Sequence, residues 1–232
     1  MSNKISESYG RNFLFLNFFY FSIIKKKRLE IYNLFLKKIS PKKSDKILDV
    51  GTTASLDDHE NLLITRYPYK SRVYCLSNQN LNKFNSRYKE IKIFKGDGRK
   101  MNFKINEFDY VISTATIEHV GSFKNQVKFI EECFRVSKKK LFITTPNRFY
   151  PIDFHTRLPF IHWLPKFIHR KILTILNDNF LNKEKNLNLL CKKSLIKICK
   201  KINLQNYKIY SIKTFGLTSN FVLIISKNKM YY

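Results

Sequence analysis

Acidic residues are scarce in this sequence. Its 232 residues include 17 Asp and Glu against 44 Lys and Arg, which gives a formal net charge of +27. A positive field of this size attracts phosphate, nucleic acid or an anionic lipid surface. The lysines are spread along the whole chain and accompany many Asn, Ile, Phe and Tyr residues, all of which have A/T-rich codons. Base composition of the gene is therefore the preferred explanation of the charge.

Cysteine is also scarce, and its spacing excludes the common zinc motifs. The four cysteines have no C-x-x-C spacing and stand inside apolar segments, at Cys75, Cys133, Cys191 and Cys199. Such cysteines are typical of small buried residues in a protein kept in a reducing compartment. We therefore expect a cytoplasmic protein without disulfide bonds.

No apolar run is long enough to cross a membrane. The most apolar stretch, residues 13–24, is interrupted by Asn17 and falls short of the ~20 residues that a spanning helix needs. No cleavage site for a signal peptide follows it. Two interpretations stay open. The stretch lies on an anionic membrane surface with the help of residues 25–28, which are Lys and Arg, or it packs on the domain as an extra helix.

Short apolar runs alternate with helix-length segments along most of the chain. The predicted strands are residues 46–50, 72–76, 91–94, 108–113, 140–144, 207–212 and 221–226. Helices are predicted at residues 26–38, from about residue 62, and at 81–88, 123–136 and 190–202. This alternation is typical of a parallel sheet with right-handed crossovers, and the short link before the final strand makes that strand antiparallel. The predicted fold class is α/β, with a doubly wound, mostly parallel, seven-stranded sheet.

Two additions to this sheet are predicted. Residues 1–44 form an N-terminal helical extension, and residues 45–232 form one domain. Within that domain, residues 146–189 contain three prolines and a group of aromatic residues, namely Pro151, Pro159, Pro165, Phe149, Tyr150, Phe154, Phe160, Trp163 and Phe167. A connection of this length is uncommon unless it has a function. We predict that it is a partly helical lid after the fifth strand, and it is called the lid segment below.

Small residues gather at one edge of the predicted sheet. The chain has six glycines and two alanines, and most of them directly follow predicted strands 1, 3 and 4, namely Gly51, Ala54, Gly96, Gly98, Ala115 and Gly121. In open parallel sheets, ligands bind outside the carboxyl ends of the strands. The sequence therefore predicts a ligand site at this edge.

Three motifs resemble those of the class I, Rossmann-like S-adenosylmethionine-dependent methyltransferases. They are Ile-Leu-Asp-Val-Gly-Thr at residues 47–52, Gly-Asp-Gly-Arg at 96–99, and the stretch from Phe108 to Gly121 with Glu-His at 118–119. The third is similar to the subgroup that includes quinone-biosynthesis enzymes. Their order and spacing match over roughly residues 47–226.

The resemblance implies S-adenosylmethionine as cofactor and assigns residues to it. Backbone amides near Gly51 and Thr52 would receive the methionine carboxylate, and Asp97 would accept from the adenine amino group. Two departures stand out: the first motif lacks its later glycines, and Ser77-Asn78 replaces the acid that would bind the ribose. The implied cofactor residues are Asp49, Gly51, Thr52, Ser77, Asn78, Asp97, Gly98, Ser113, Thr114 and Ala115.

Catalytic and acceptor residues are less well defined, because methyl transfer depends mainly on orientation and exclusion of water. His119 and His155 are candidate catalytic residues, and His119 could act as a general base. The alternative is that His119 only packs on the cofactor. After the fifth strand, Arg148, Tyr150 and Arg157 are candidate acceptor-binding residues, although a solvated loop would explain them equally.

No metal site is predicted. His155, His162 and His169 recur every seven residues, but Pro159 and Pro165 interrupt any helix that would align them. There is also no Cys or acidic residue at ligand spacing from them.

The function predicted from the sequence is methyl transfer to an oxygen of a small or lipid-linked acceptor. Two alternatives stay open. One is a catalytically silent Rossmann-like binding module. The other is a basic RNA-binding protein or RNA methyltransferase, although no dedicated nucleic-acid motif is present.

Overall fold

The computed structural model of the chain describes residues 14–57 and 60–227. The predicted ranges 1–44 and 45–232, and the apolar stretch 13–24, therefore extend in part outside the described residues. Seven strands form one sheet: β1 Ile47–Val50, β2 Val73–Ser77, β3 Lys92–Lys95, β4 Phe108–Thr114, β5 Ser137–Pro146, β6 Tyr207–Thr214 and β7 Leu217–Ser226.

Helices connect and cover these strands. The α-helices are α1 Leu14–Ile39, α2 Leu62–Arg66, α3 Asn82–Arg87, α4 Phe123–Val136, α5 Lys166–Ile175 and α6 Lys192–Lys201. Three single 3₁₀ turns lie at Lys70–Arg72, Ile117–His119 and Ile161–Trp163. No helix in the described ranges has the length and apolar character needed to cross a membrane.

The order of strands in the sheet is β3-β2-β1-β4-β5-β7-β6. Strand β1 pairs in parallel with β2 and β4, and the pairs β2–β3 and β4–β5 are also parallel, whereas β7 runs antiparallel to β5 and β6. The predicted doubly wound sheet with an antiparallel last strand is confirmed. The chain order reverses between β1 and β4, so their carboxyl ends border a crevice.

Strand β1 is buried on both faces because helices cover both sides of the sheet. Leu48 and Val50 face a core that contains α4 and α6, and Ile47 faces a second core that contains the end of α1. This alternation follows from the two-residue period of a strand. It explains why the sequence here is an almost unbroken apolar run rather than an alternating one.

Helix α1 precedes the first strand, and its C-terminal part packs on the sheet. It is longer than the predicted helix at residues 26–38, and its side chains Ile31, Phe35 and Ile39 recur every four residues on one buried face. The ring of Phe35 meets that of Phe142 on β5 edge to face, with 5.6 Å between centroids. These contacts lie beyond the apolar stretch 13–24, so both interpretations of that stretch stay predictions.

The lid segment is partly helical, as predicted. It contains one 3₁₀ turn and α5, and it has a small apolar core of its own, formed by Leu173, Leu181, Leu187 and Leu189. Its end joins the sheet edge, where Asn147 and Leu190 form an isolated parallel bridge. The segment is therefore folded against the carboxyl edge of the sheet.

We predict that Phe35→Ala lowers the free energy of unfolding by about 3 to 5 kcal/mol, because it leaves a cavity between α1 and β5. Urea denaturation followed by circular dichroism measures this. Leu36→Ala is the matched control, since Leu36 is 38% exposed on the same helix, and it should cost less than about 1 kcal/mol. Equal losses for the two variants would show that the end of α1 is not docked.

Candidate cofactor and acceptor site

A cleft lies where the strand order reverses. Its floor is formed at the ends of β1 and β4 by Asp49, Gly51 and Thr114, and α1 contributes a wall that includes Arg28 and Tyr32. The position agrees with the rule that ligands bind at the switch point of a parallel sheet. Helix α1 contributes to this wall, although the sequence motifs did not point to it.

The turn after β1 requires glycine. Gly51 has φ +95°, and a Cβ atom there would overlap the side chain of Thr116. Its N–H donates to the carbonyl of Leu76 at 2.8 Å, which continues the hydrogen bonding between β1 and β2. The Gly51 amide is therefore already used within the sheet, contrary to its expected role toward a ligand carboxylate.

Two buried serines fasten this turn to the neighbouring strands. The hydroxyl of Ser77 donates to the carbonyl of Thr52 at 2.7 Å, and that of Ser113 donates to the carbonyl of Val50 at 2.8 Å. The structure thus assigns both hydroxyls to the scaffold. Of the pair predicted to bind a ribose, Asn78 is the exposed one.

Asp49 presents a buried carboxylate to the cleft. Its Oδ2 accepts a hydrogen bond from the hydroxyl of Thr52 at 2.7 Å. Burial raises the pKa of Asp49 to about 6, although the bond from Thr52 opposes the shift. At neutral pH the carboxylate is ionised in a poorly solvated place, so it favours a cationic group in the cleft.

The loop after β3 carries Asp97 and Gly98, which were both predicted as cofactor residues. Asp97 forms an ion pair with Arg99 at 2.5 Å and also accepts from the Arg99 amide, and these bonds lower its pKa. The carboxylate is about half exposed, so it stays accessible on one side. At Gly98, a Cβ atom would lie 2.5 Å from Phe129 Cε2 and 2.8 Å from Val50 Cγ1. Gly98 therefore lets the loop pack closely on β1 and α4.

The turn after β4 begins with an exposed Thr114 in the cleft wall and continues through Ala115 at φ +50°. The Ala115 amide donates to the carbonyl of Thr144 at 3.1 Å. Since this bond ties the turn to β5, Ala115 contributes backbone shape to the site.

Next in the chain comes a cluster formed by the buried Glu118 and the partly buried His119 and His155. Each residue offers one candidate metal-ligand atom, and the three atoms all lie within 4.8 Å of one another. Both histidines were predicted as candidates from the sequence. Glu118 was quoted only as part of a motif, and no sequence pattern showed that its side chain would be fully buried.

The Glu118 carboxylate is only partly satisfied. Its Oε2 accepts from the hydroxyl of Thr145 at 3.0 Å, whereas its buried Oε1 has no hydrogen-bond partner among the described residues. Burial raises the pKa of Glu118, and the charge of His155 opposes this rise. A buried oxygen without a donor is costly, so the site favours a group that supplies one.

The two imidazoles are held by different partners. His155 Nδ1 lies 3.1 Å from Asp153 Oδ1, and His155 Nε2 lies 3.8 Å from Glu118 Oε1. Burial acts to lower the pKa of His155, but its hydrogen bond to Asp153 and the charges of both carboxylates together raise it.

His119 differs because its partner is a carbonyl. Its Nδ1 lies 2.6 Å from the Asn186 oxygen, and since a carbonyl only accepts, Nδ1 carries the hydrogen and Nε2 keeps a lone pair. Burial and the nearby His155 lower the pKa of His119 to about 4. The ring is therefore neutral at physiological pH. It stands edge to face against His155, with 4.9 Å between the centroids.

The end of the lid segment covers this cluster. The Asn188 amide donates to the Glu118 carbonyl at 2.7 Å, and Asn188 Nδ2 donates to the Gly121 carbonyl at 2.7 Å. From α4, Gln126 Nε2 donates to the Asn188 carbonyl at 2.8 Å. These bonds hold the lid segment over the turn that carries Glu118 and His119.

Of the three candidate acceptor residues, Arg148 has bonds within the lid segment itself. Arg148 donates to the carbonyls of His162 and Leu164, at 3.0 and 2.7 Å. Tyr150 is buried and bonds Thr214 through its hydroxyl, and Arg157 has a left-handed backbone at φ +59°. Arg148 also borders a second, basic cleft with Lys166 and Arg170.

We predict that Asp49→Asn stabilises the protein at about pH 8 and not at about pH 4. The ordinary pKa of 3.8 is raised to about 6 in the folded state, so stability is lost as pH rises through 6. Removal of the charge should recover up to roughly 3 kcal/mol above that pH. Urea denaturation at both pH values measures the difference. A variant that is less stable than the parent at about pH 8 would contradict the assigned shift.

Comparison with known proteins agrees with the geometry. Residues 48–143 match the family model described as a methyltransferase domain, and this range includes most of β1, the cleft residues that follow β1 and end β4, the Glu118–His119 turn and most of β5. A search among proteins of curated function finds no match.

Solved structures share the fold at low sequence identity. A methyltransferase dependent on S-adenosylmethionine (SAM) from Aquifex aeolicus has a TM-score of 0.58 at 18% identity, covering 88% of this chain and 97% of that one. Magnesium protoporphyrin IX methyltransferase from Synechocystis PCC 6803, solved with bound SAH, has a TM-score of 0.60 at 10% identity, covering 97% and 94%. A possible histamine N-methyltransferase from Thermotoga maritima has 0.55 at 14%, covering 88% and 89%. Residues 48–143 are therefore similar to a methyltransferase domain, and the chain shares the Rossmann-like fold of solved S-adenosylmethionine-dependent methyltransferases.

Proposed function

We propose that the chain transfers a methyl group from S-adenosylmethionine to a hydroxyl oxygen of a small or lipid-linked acceptor. The observation that carries the proposal is the unpartnered Glu118 Oε1, fully buried beside two imidazoles at the same sheet edge as the cofactor cleft. This oxygen needs a hydrogen-bond donor, and an acceptor hydroxyl supplies one.

Three polar residues that follow or end strands β1, β2 and β3 fit the cofactor. Asp49 would face its cationic methionine end, Asn78 would hydrogen-bond the ribose, and Asp97 would accept from the adenine amino group through its exposed side. When bound, the cofactor supplies an electrophilic methyl group, which the acceptor oxygen captures as the carbon–sulfur bond breaks and its electron pair stays on sulfur. Thr52 supports this arrangement because its hydroxyl fixes the Asp49 carboxylate.

The cluster favours oxygen as the acceptor atom. Glu118 Oε1 and the lone pair of His119 both accept hydrogen bonds, so they would orient an O–H group and receive its proton during transfer. His155, held by Asp153, positions the Glu118 carboxylate through their mutual attraction. In addition, methyltransferase families that act on amino groups have an N/D-P-P-aromatic tetrapeptide at the end of the fourth strand. This chain has Thr-Ala-Thr-Ile there, at residues 114–117.

Exposed aromatic residues in the lid segment support an acceptor with an apolar part. Phe149, Phe160 and Phe167 are 51%, 54% and 72% exposed, and the Phe160 ring stands edge to face against Trp163 at 4.9 Å. Exposed rings this close together cover apolar ligands. The basic residues beside them suit an anionic head group or an anionic membrane surface that presents the acceptor.

The competing function is a catalytically silent Rossmann-like module or an RNA-binding protein. The replacement of the ribose-binding acid by Ser77 and Asn78 is the feature that favours a silent module, because a neutral contact binds less tightly than a charged one. The net charge of +27 is the feature that favours RNA. The two predictions below separate these functions from the proposed one.

We predict that Asn78→Asp tightens cofactor binding about fivefold, because a carboxylate strengthens the hydrogen bonds to the ribose hydroxyls by about 1 kcal/mol. Isothermal titration with S-adenosylhomocysteine measures the affinity. Asn80→Asp adds the same charge two residues further along the loop and should leave the affinity unchanged. If both variants bind alike, the residue after β2 does not contact the ribose.

We predict that the full-length protein transfers tritiated methyl groups into a lipid or small-molecule fraction of a cell extract. The label should resist hydroxylamine if the product is an ether. Asp49→Asn is the negative control and should lose most of the incorporation, because it removes the charge that faces the cofactor. Cofactor binding without label in any fraction would indicate a silent module. Label confined to RNA would contradict the proposed acceptor class.

A further inference from the structure

We propose that Glu118, His119 and His155 form a binding site for one divalent transition-metal ion, with open coordination positions for the methyl acceptor. Binding of the ion depends only on these side chains. The role of the ion in the reaction rests on the proposed function.

The donor atoms required for a metal site are left unused by the rest of the protein. Glu118 Oε1 is fully buried and has no hydrogen-bond partner among the described residues. His119 uses Nδ1 to bind the Asn186 carbonyl, and His155 uses Nδ1 to bind Asp153. Each histidine therefore keeps its second ring nitrogen for another partner.

The spacing of the cluster suits coordination. The ligand atoms of all three residues lie within 4.8 Å of one another, and Glu118 Oε1 is 3.8 Å from His155 Nε2. Ligands at the ~2.0 to 2.2 Å bond lengths of tetrahedral zinc sites stand about 3.3 to 3.6 Å apart. The cluster is somewhat wider than this, so a bound ion would draw the three side chains closer together.

The partners behind the ligands match those of known metal sites. Metal-binding histidines usually donate their other ring N–H to a carbonyl or carboxylate, which fixes the ring and increases its basicity. Asn186 and Asp153 provide these two acceptors, and the Thr145 hydroxyl fixes the other oxygen of Glu118 at 3.0 Å. Asp153 is itself held by the Thr156 hydroxyl at 2.8 Å. All three ligands are therefore oriented before an ion binds.

The ligand types select the class of ion. Two imidazoles and one carboxylate favour Zn²⁺, Fe²⁺ or Mn²⁺ over Mg²⁺ and Ca²⁺, which prefer oxygen ligands. Three protein ligands also leave at least one position open, as in catalytic sites. The heptad-spaced His162 and His169 are not part of this set, since His162 Nε2 is bound to the Tyr150 carbonyl at 2.7 Å.

A bound ion would change how the acceptor is activated. The acceptor hydroxyl would coordinate the ion, which lowers the pKa of that hydroxyl so that its proton leaves to water. The oxygen lone pair would then form the bond to the methyl carbon as the carbon–sulfur bond of the cofactor breaks and its electron pair stays on sulfur. With the ion bound, the imidazoles act as ligands and not as bases.

The test begins with full-length protein dialysed against a chelator and then titrated with Co²⁺, whose visible absorption reports the ligand set. We expect one equivalent to bind, with bands typical of mixed nitrogen and oxygen ligands, and Zn²⁺ to displace it. Glu118→Gln, His119→Gln and His155→Gln should each weaken binding at least about tenfold. His169→Gln is the control, because it removes a buried histidine outside the cluster and should bind like the parent.

Folding is checked separately by circular dichroism, and Asp153→Asn provides a milder variant that keeps all three ligands. It should weaken Co²⁺ binding and keep the one-to-one stoichiometry. Absence of Co²⁺ binding by the folded parent protein would overturn the proposal. Binding that is equally strong in all three ligand variants would overturn it as well.

Cofactor titration and label transfer in the presence of the chelator separate this proposal from the proposed function. Methyl transfer that persists without metal, together with no Co²⁺ binding, would leave the methyltransferase function standing and reject the metal site. Co²⁺ binding without any cofactor binding would leave the metal site standing and reject the methyltransferase function.

Discussion

Two carboxylates are buried at the carboxyl edge of the sheet without a lysine or arginine partner among the described residues. Asp49 accepts a hydrogen bond from the Thr52 hydroxyl, and Glu118 accepts one from the Thr145 hydroxyl. Both pKa values are raised by burial, so each carboxylate lowers the stability of the folded state at neutral pH. In a chain with 44 basic residues, this shortage of cationic partners is unusual. It places negative charge where a cationic cofactor and an acceptor or ion would provide the missing partner.

Hydrogen bonds in the surrounding structure fix the positions of these two buried carboxylates. Ser77 and Ser113 fasten the turn after β1, which fixes the position of Asp49 at the cleft floor. Asn188 fastens the lid segment to the turn that carries Glu118. Neutral hydroxyl and amide groups therefore hold both carboxylates in place without cancelling their charge.

The fold could be predicted from the sequence because its signals are local. The buried run from Ile47 to Val50, the glycine that follows it and the alternation of later elements are enough to indicate a doubly wound sheet. The site could be predicted only in part. The motifs located Asp49, Asp97 and His119, but they did not show that Ser77 turns inward to bind the Thr52 carbonyl. The pairing of His155 with Glu118 depends on how the lid segment folds back, and no local pattern contains that information. The same is true of the contribution of α1 to the cleft wall.

The docking of α1 determines how any affinity measured for the cleft should be interpreted. Tyr32 lines the cleft and Phe35, on the same helix, packs against β5. A ligand that contacts the wall can bind fully only when the helix is seated, so its apparent dissociation constant is the intrinsic one divided by the fraction of molecules with α1 in place. By linkage, ligand binding would in turn favour the seated helix. A truncation inside α1 would then weaken binding through loss of the seated state, even if it removed no residue that touches the ligand.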